Sequence, residues 1–126
     1  MYQIDNQSRQ AVYEQIVQQV ELYVLAGVLN GGDKMPSVRN MSLELKVNPN
    51  TVQRAYTELE RGGVIVTAPG RGAFVSDHGA QKLKEQRRQK SLEELKALVS
   101  ELKLMGLEKD SVIAIIDDTY QEGQDD

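Results

Sequence analysis

The chain has 126 residues, which is room for one domain and a small appendage. It contains no cysteine and a single histidine, His78, so disulfides, thiolate chemistry and cysteine-ligated or multi-histidine metal sites are excluded. The net charge is −4, and residues 1–79 carry seven Lys and Arg against eight Asp and Glu, without the basic excess that is usual for nucleic-acid binding. No apolar run approaches a membrane span and no secretory pattern opens the chain, so we expect a soluble, cytoplasmic protein without a membrane partner.

The N-terminal part predicts an arm followed by one long helix. Tyr2 to Ile4 is compatible with a short strand or an arm, and Asp5 to Ser8 offers turn and cap chemistry. A helix is predicted over about Arg9 to Ala26, ended by Gly27 in the C′ position. Its apolar stripe is expected to be core and consists of Val12, Ile16, Val20, Tyr23 and Val24.

Paired glycines and a proline mark residues 29–36 as a loop. Ser37 can cap a second, short helix over Val38 to Lys46, with Arg39 on the outside of its first turn. The inward side chains of this helix are Val38, Met41 and Leu45. A turn of three or four residues then leads to a third helix, an order that is typical of a helix-turn-helix.

The third helix, Asn48 to Arg61, has two faces of different character. Asn48 is a good N-cap, and Pro49 occupies the first helical position, where its missing N–H has no cost. The core-facing stripe is Val52, Ala55, Tyr56 and Leu59. The remaining surface is polar and carries Asn50, Thr51, Gln53, Arg54, Thr57 and Arg61.

Such a helix suits the major groove of DNA, since Asn and Gln match adenine and Arg matches guanine or phosphate. An ordinary solvated surface helix is the commoner explanation when the helix is considered alone. Its neighbours favour the groove, because a helix-turn-helix is followed directly by a predicted hairpin.

That hairpin consists of a strand over Val64 to Thr67, a turn over Ala68 to Gly72 and a strand over Ala73 to Ser76. Arg71 lies at the tip between two glycines, so the backbone can approach a phosphate while the Arg enters the minor groove. A plain hairpin with an exposed Arg is the alternative. After a helix-turn-helix, the hairpin is interpreted as a wing.

The composition shifts from Gly79 onward. The charged run 82–90 predicts a solvated helix or connector, for which a solvated face is favoured over contact with the DNA backbone. A helix with an apolar stripe follows up to Gly106, and a shorter helix is predicted over about Lys109 to Tyr120, before an acidic end that is expected to fray. The predicted interface residues of these helices are Leu92, Leu95, Val99, Leu102, Met105, Ile113 and Ile116.

Two helices of this size cannot bury their apolar faces against each other alone. Either the N-terminal domain of the same chain or the same helices of a second chain must cover them. A homodimer is favoured, because operators read by this motif are commonly two-fold. The segment is too small to enclose a drug-sized cavity in one protomer, although an effector site at the dimer interface, with an unknown ligand, stays open.

Catalysis is not supported by any constellation in the chain. Gly70-Arg71-Gly72 is too short for a phosphate-cradling loop, and the adjacent Asp117 and Asp118 cannot face each other across a substrate. We therefore expect no enzyme activity, no cofactor and no metal.

The joint order of several short motifs carries a resemblance to a known family. These are Met35-Pro36-Ser37-Val38-Arg39, Asn50-Thr51-Val52 with Arg54-Ala55, Leu59 with Gly62-Gly63, and Gly70-Arg71-Gly72 with Phe74-Val75. The stretch from about residue 8 to 76 resembles the winged-helix domain of the GntR family of bacterial transcriptional regulators. Ile4-Asp5-Asn6 and the short C-terminal tail resemble its YtrA-type subgroup.

The resemblance implies contacts with double-stranded operator DNA by Arg39, Asn50, Thr51, Gln53, Arg54, Arg71 and Gly72. Within the YtrA-type subgroup, it also implies control of a transporter-type operon. Pro49 and Gln53 depart from relatives that carry a base-reading Arg at these positions, so the operator sequence does not carry over.

The expected fold is mainly α with a small β-hairpin. A winged helix-turn-helix domain is predicted over 1–78 and a two-helix dimerisation segment over 79–126. The expected function is that of a sequence-specific, dimeric DNA-binding regulator, acting as a repressor. A winged-helix module for protein–protein contact, favoured by the acidic charge balance, is the alternative.

Overall fold

The computed structural model describes residues 1–123, which form five helices and one two-stranded antiparallel sheet. In chain order these are α1 (Val12–Leu25), α2 (Val38–Leu45), α3 (Pro49–Arg61), β1 (Ile65–Ala68), β2 (Gly72–Val75), α4 (Asp77–Leu104) and α5 (Lys109–Gln121). The predicted mainly α fold with a small hairpin is confirmed. The part of the predicted frayed end that follows Gly123 is outside the described residues. No helix within residues 1–123 has the length and apolar character needed to cross a bilayer.

The chain divides into two compact units, residues 1–86 and 87–126. The first unit holds the helix-turn-helix and the hairpin, and the second holds the C-terminal part of α4 together with α5. The composition shift had placed a boundary at residue 78, whereas the first unit extends further along α4. The reason is that Ala80 is buried in the core of the first unit and Leu83 packs against it.

Local capping sets the start of both helices of the helix-turn-helix, as predicted. Ser37 Oγ accepts a hydrogen bond from the backbone N–H of Asn40 at 3.0 Å, and Asn48 Oδ1 accepts one from Asn50 at 2.8 Å. Pro49 occupies the first turn of α3. Lys46 ends α2 in the left-handed conformation with a φ of 58°.

Helix α1 begins at Val12 and not near Arg9, because the predicted cap residues are used elsewhere. Asp5 Oδ1 accepts from the backbone N–H of Gln7 at 2.9 Å, and Ser8 Oγ accepts from that of Gln10 at 3.1 Å. These bonds close local turns. The N-cap position falls on Ala11, which has no side-chain cap.

The N-terminal segment is an arm that two glutamine amides of α1 bind through its backbone. Gln19 Oε1 accepts from the backbone N–H of Gln3 at 2.8 Å, and the Gln19 amide donates back to the Gln3 carbonyl. Gln15 pairs in the same two-way manner with Asp5, at 2.8 and 3.0 Å. Each glutamine amide therefore pairs with one residue of the arm as a neighbouring strand would, which satisfies the backbone N–H and C=O groups of Gln3 and Asp5 without a sheet.

The core of the first unit joins α1, α3, the hairpin and the arm. Tyr2 is only 5% exposed and meets the ring of Tyr23 edge-on, with centroids 5.4 Å apart. The predicted stripes of α1 and α3 supply seven of the other fourteen members, while Val12 and Tyr23 of the α1 stripe are only partly buried. The buried apolar residues are Tyr2, Ile16, Val20, Val24, Leu29, Met35, Met41, Val52, Ala55, Tyr56, Leu59, Val64, Ile65, Val75 and Ala80.

The predicted loop over residues 29–36 is partly an extension of the sheet. Lys34 forms a β-bridge with Phe74. On either side, the backbone N–H of Met35 donates to the Ala73 carbonyl and that of Val75 donates to the Asp33 carbonyl, both at 2.8 Å. The hairpin is thereby attached along one edge to the segment that precedes α2.

Helix α4 begins where the backbone comes very close to the end of α3. Ser76 Oγ accepts from the backbone N–H of Gly79 at 3.1 Å. A Cβ atom on Gly79 would lie 1.7 Å from the Gly63 carbonyl oxygen, so only glycine fits there.

We expect Tyr2→Phe to keep or slightly raise the stability of the fold, and to raise it further in alkali. Among residues 1–123, no group is hydrogen-bonded to the buried Tyr2 hydroxyl, so its removal is expected to leave the unfolding free energy unchanged or increase it by up to about 1 kcal/mol. Burial, followed by the neighbouring Tyr23 and Glu44, raises the pKa of Tyr2 from 10.0 to about 12. The neutral hydroxyl is therefore favoured in the fold, and this contribution is present below pH 10 and is lost as the pH rises towards 12.

The measurement is urea unfolding at pH 7 and across pH 10 to 12. In alkali the wild-type stability should fall more steeply than that of Tyr2→Phe, by up to about one proton in the pH slope. Tyr2→Ala is the control for packing and should lose roughly 3 kcal/mol at pH 7. A large loss in Tyr2→Phe at pH 7 would show that the hydroxyl has a stabilising partner.

Candidate nucleic-acid interface

Helix α3 buries one side and exposes the other. Asn50, Gln53 and Arg54 are exposed and Thr51 is half-buried, while the apolar stripe lies in the core. Gln53 Nε2 donates to Thr57 Oγ1 at 3.3 Å, one turn further along the same face. The exposed side therefore presents amide, hydroxyl and guanidinium groups, which are the groups that recognise base edges.

Arg54 has a neighbour that its position on α3 did not predict. Its guanidinium carbon lies 3.8 Å from the centroid of the Tyr13 ring, which belongs to the first turn of α1. This is a cation–π contact. The side chain remains exposed, but it rests on another helix instead of extending freely into solvent.

Arg39 is exposed in the first turn of α2, as predicted. The start of this helix is fixed from the core by α3, since the Tyr56 hydroxyl donates to the Pro36 carbonyl at 2.5 Å. Burial is the main cause that raises the pKa of Tyr56 above its ordinary value, followed by Tyr2 and Glu44, so the hydroxyl stays protonated as a donor. One buried residue thus connects the two helices that carry candidate DNA contacts.

The wing turns through Ala68, Pro69, Gly70 and Arg71. The backbone N–H of Arg71 donates to the Ala68 carbonyl at 2.9 Å, and Gly70 has a φ of 76°. Proline followed by a glycine with positive φ is the sequence that a type II turn requires. The turn leaves Arg71 and Gly72 exposed at the tip.

Lys34 is a basic residue near the wing that the sequence did not single out. Its bridge to Phe74 brings it beside the hairpin, and a Cβ atom on Gly72 would lie 3.3 Å from Lys34 Cε. The Lys34 stem therefore passes directly over the residue that follows Arg71. The available signal was the Gly31-Gly32 pair before Asp33, which indicated a turn but not a β-bridge.

The seven candidate DNA-contacting residues lie on three parts of one compact unit: α2, α3 and the tip of the hairpin. Six of them are exposed and Thr51 is half-buried. The structure shows two further residues next to this set. Tyr13 contacts Arg54, and the Lys34 side chain passes beside Gly72. Both depend on contacts between elements distant in sequence.

The candidate dimer residues lie in the second unit and expose much of their side chains. Leu102 is half-buried, and the other six are between 37 and 68% exposed. An open apolar groove of about 540 Å³ runs between α4 and α5, lined by Val99, Lys103, Leu107, Lys109, Val112, Ile113 and Ile116. A groove of this size is enclosed only when another surface covers it, so the absence of a cavity for an effector inside one chain stays a prediction.

Two helices joined by a tight turn, with a polar exposed side on the second and a β-hairpin directly after it, define the winged helix-turn-helix class of DNA-binding proteins. The sequence model of the family described as "Bacterial regulatory proteins, gntR family" matches residues 12–75. The chain belongs to the GntR family of transcriptional regulators, and it is not an enzyme.

Relatives and solved structures of similar length support the same family. The chain is 43% identical over 108 residues to the HTH-type transcriptional repressor YtrA of Bacillus subtilis, covering 86% of this chain and 83% of that one. It is 38% identical over 122 residues to the uncharacterised regulator YhcF of the same organism, covering 95% and 99%. A transcriptional regulator from Oenococcus oeni has a similar structure, with a TM-score of 0.74 and 34% identity over 93% of this chain and 97% of that chain. The resemblance to the YtrA-type subgroup is thereby confirmed.

We expect Gly70→Ala to lower the unfolding free energy by about 1 kcal/mol, because an L-residue at a φ of 76° is strained. Urea unfolding measures the loss. Arg71→Ala is the matched control at the next position, and should change stability by less than about 0.5 kcal/mol because it alters an exposed side chain only. Equal effects of the two substitutions would contradict the turn assignment.

Proposed function

We propose that this protein is a sequence-specific, dimeric, cytoplasmic DNA-binding repressor that occupies a two-fold operator. The observation that carries the proposal is the polar side of α3, which is exposed while the opposite side is buried. A helix held in this way can enter the major groove without unfolding any part of the core. The YtrA relative of Bacillus subtilis is named as a repressor, which supports repression in this chain.

The proposed contacts fall into two kinds. Asn50, Thr51, Gln53 and Arg54 lie on α3 and are assigned to base edges in the major groove. Arg39 at the start of α2 is assigned to phosphate, and Arg71 with Gly72 at the wing tip to the minor groove or its phosphates. Lys34, which lies beside the wing, is a further cation that is assigned to the phosphates of the DNA backbone.

The second unit is proposed to form the dimer. Many of its apolar side chains are exposed and several line one groove, and contiguous apolar surface of this kind marks interaction sites. A second copy of α4 and α5 offers the matching apolar surface, as a two-fold interface is self-complementary. A transporter-type operon as the target rests on resemblance to the YtrA-type subgroup alone.

A protein–protein module is the second candidate, and the near-neutral charge of residues 1–79 is the observation that favours it. The two functions differ in their retention on heparin or generic DNA at low salt. A DNA-binding regulator should be retained and elute as the salt concentration rises. A module that contacts only protein should flow through.

Substitutions of Asn50 and Arg39 are expected to affect DNA binding in different ways. Asn50→Ala should cost roughly 1–3 kcal/mol per half-site on a duplex selected from a random pool, and should relax the preference at one base pair of each half-site, because it removes a base contact. Arg39→Ala should weaken binding to all duplexes alike and reduce the salt slope by about one for each bound protomer, because it removes one phosphate contact from each half-site. Fluorescence anisotropy with labelled duplexes across a salt series measures both effects.

The control for both variants is Gln18→Ala, an exposed neutral change on α1 outside the candidate interface. It should leave affinity and preference as in the wild type. If Asn50→Ala binds the selected duplex as tightly as the wild type, the assignment of base contacts to the polar side of α3 is contradicted.

We expect Ile113→Asp to convert the dimer to a monomer, because it introduces a charge into the apolar groove of the proposed interface. Sedimentation equilibrium should give twice the chain mass of 14.1 kDa for the wild type and the chain mass for the variant. Leu104→Asp is the matched control, since Leu104 lies on α4 outside the candidate set and is 87% exposed. A wild-type monomer throughout the concentration range, or dissociation by Leu104→Asp alone, would contradict the assigned interface.

A further inference from the structure

The contact between Arg54 and Tyr13 joins the candidate recognition helix to a different helix. Arg54 lies in the second turn of α3 and Tyr13 in the first turn of α1. The guanidinium carbon is 3.8 Å from the ring centroid, well inside the roughly 6 Å limit for a cation–π contact. Arg54 is exposed, and Tyr13 is half-buried and packs against the core.

The acidic residue one turn after Arg54 on α3 has another partner. Glu58 stands four positions further along, at a spacing that would allow an ion pair. Its Oε1 is instead 2.9 Å from Nη1 of Arg61. The Arg54 head group therefore contacts the aromatic face of Tyr13, and not the carboxylate within reach on its own helix.

The contact matters because a guanidinium group has distinct faces and edges. The flat face interacts with an aromatic ring, whereas the N–H donors lie in the plane and point outward from the edge. Bidentate recognition of guanine uses that edge. A guanidinium resting on Tyr13 can therefore keep donors directed towards a base, while its long side chain is restrained.

The core packing of Tyr13 makes it a fixed support. The ring is held by α1, whose Ile16 and Val20 are fully buried, and α1 packs directly on α3. A long arginine side chain loses rotamer freedom when it binds, and a support that restrains it beforehand reduces that loss. Sequence preference at the base read by Arg54 would then depend on a residue outside the recognition helix.

We propose that Tyr13 is a positioning residue that orients Arg54 for base recognition without itself contacting DNA. This inference rests on the proposed DNA-reading function of α3. It assigns a specificity role to α1, a helix that carries none of the seven candidate DNA contacts.

The test compares Tyr13→Leu, which removes the aromatic face, with Tyr13→Phe, which retains it. The probes are a duplex selected by the wild-type protein from a random pool, its single-base-pair variants, and a scrambled duplex. Tyr13→Leu should weaken binding to the selected duplex roughly 2- to 13-fold per half-site, the range that corresponds to the entropy cost of ordering one long side chain on binding. Its affinity for the scrambled duplex should stay within about two-fold, because phosphate contacts are unchanged. Tyr13→Phe should behave as the wild type.

The double variant Tyr13→Leu with Arg54→Ala separates positioning from a general structural effect. With Arg54 absent, removal of the ring should have no further effect on base preference, since the two residues act through one contact. Arg54→Lys provides a second test that leaves α1 intact. It keeps the charge but removes the planar group, so it should lose preference at the same base pair with an unchanged salt slope.

Several outcomes would overturn the proposal. These are an equal loss on selected and scrambled duplexes, a loss that persists in the Arg54→Ala background, unchanged preference in Tyr13→Leu, or tighter selected binding, which would mean that Tyr13 sequesters Arg54. If Tyr13→Leu does not fold, as judged by circular dichroism, unchanged preference in Arg54→Lys would overturn it instead. A wild-type protein that selects no sequence would instead refute the proposed function itself.

Discussion

The burial of one side of α3 is the constraint on which both the fold and the candidate interface depend. Val52, Ala55 and Leu59 are almost completely removed from solvent, and each large apolar side chain buried in this way contributes about 1.5–3 kcal/mol. Because a helix repeats every 3.6 residues, fixing these side chains in the core also fixes the direction of the polar ones. Asn50 and Gln53 are exposed for this reason, independently of any partner.

The features that the sequence predicted well are those set by neighbouring residues. Ser37 and Asn48 cap their helices through bonds to backbone groups two or three positions away, so the starts of α2 and α3 could be located from the sequence. The same type of signal failed at α1. Asp5 and Ser8 have side chains that can cap a helix, but their oxygens accept hydrogen bonds within turns that precede α1. No local sequence pattern distinguishes a residue that caps a helix from one that closes such a turn.

The features that could not be predicted are contacts between distant segments. No sequence pattern near Lys34 predicts its β-bridge to Phe74. Likewise, none near Tyr13 predicts its contact with an arginine forty-one positions later. The polar side of α3 was therefore predicted as a set of residue types, while the restraint of Arg54 was not. Pairing of the arm with Gln15 and Gln19 is a further case, since these residues appeared only as polar positions between the apolar residues of α1.

Net charge is a poor guide to this surface, because several acids in the first unit have structural partners. Asp33 Oδ2 accepts from the backbone N–H of Asn30 at 2.8 Å, and Glu58 pairs with Arg61. Glu44 is 3.4 Å from the amino terminus. These carboxylates lower the sum over the unit, yet the charges of Glu58 and Glu44 are partly offset by their cationic partners. DNA responds to the local field, which is screened beyond about 10 Å at moderate salt, so arginines on α2, α3 and the wing can act as a basic surface on a chain of negative net charge.

The weak charge of a single reading unit also gives a physical reason for the apolar second unit. With few cations, one unit gains little from counterion release, so its affinity for a single half-site is expected to be modest. Joining two units converts binding of the second half-site into an intramolecular step, which strengthens binding without any new DNA contact. The exposed apolar side chains of α4 and α5 would be buried in such an assembly. In an isolated chain their exposure, 68% for Met105, does not contribute to stability. The proposed dimer therefore follows from the same scarcity of positive charge that at first argued against DNA binding.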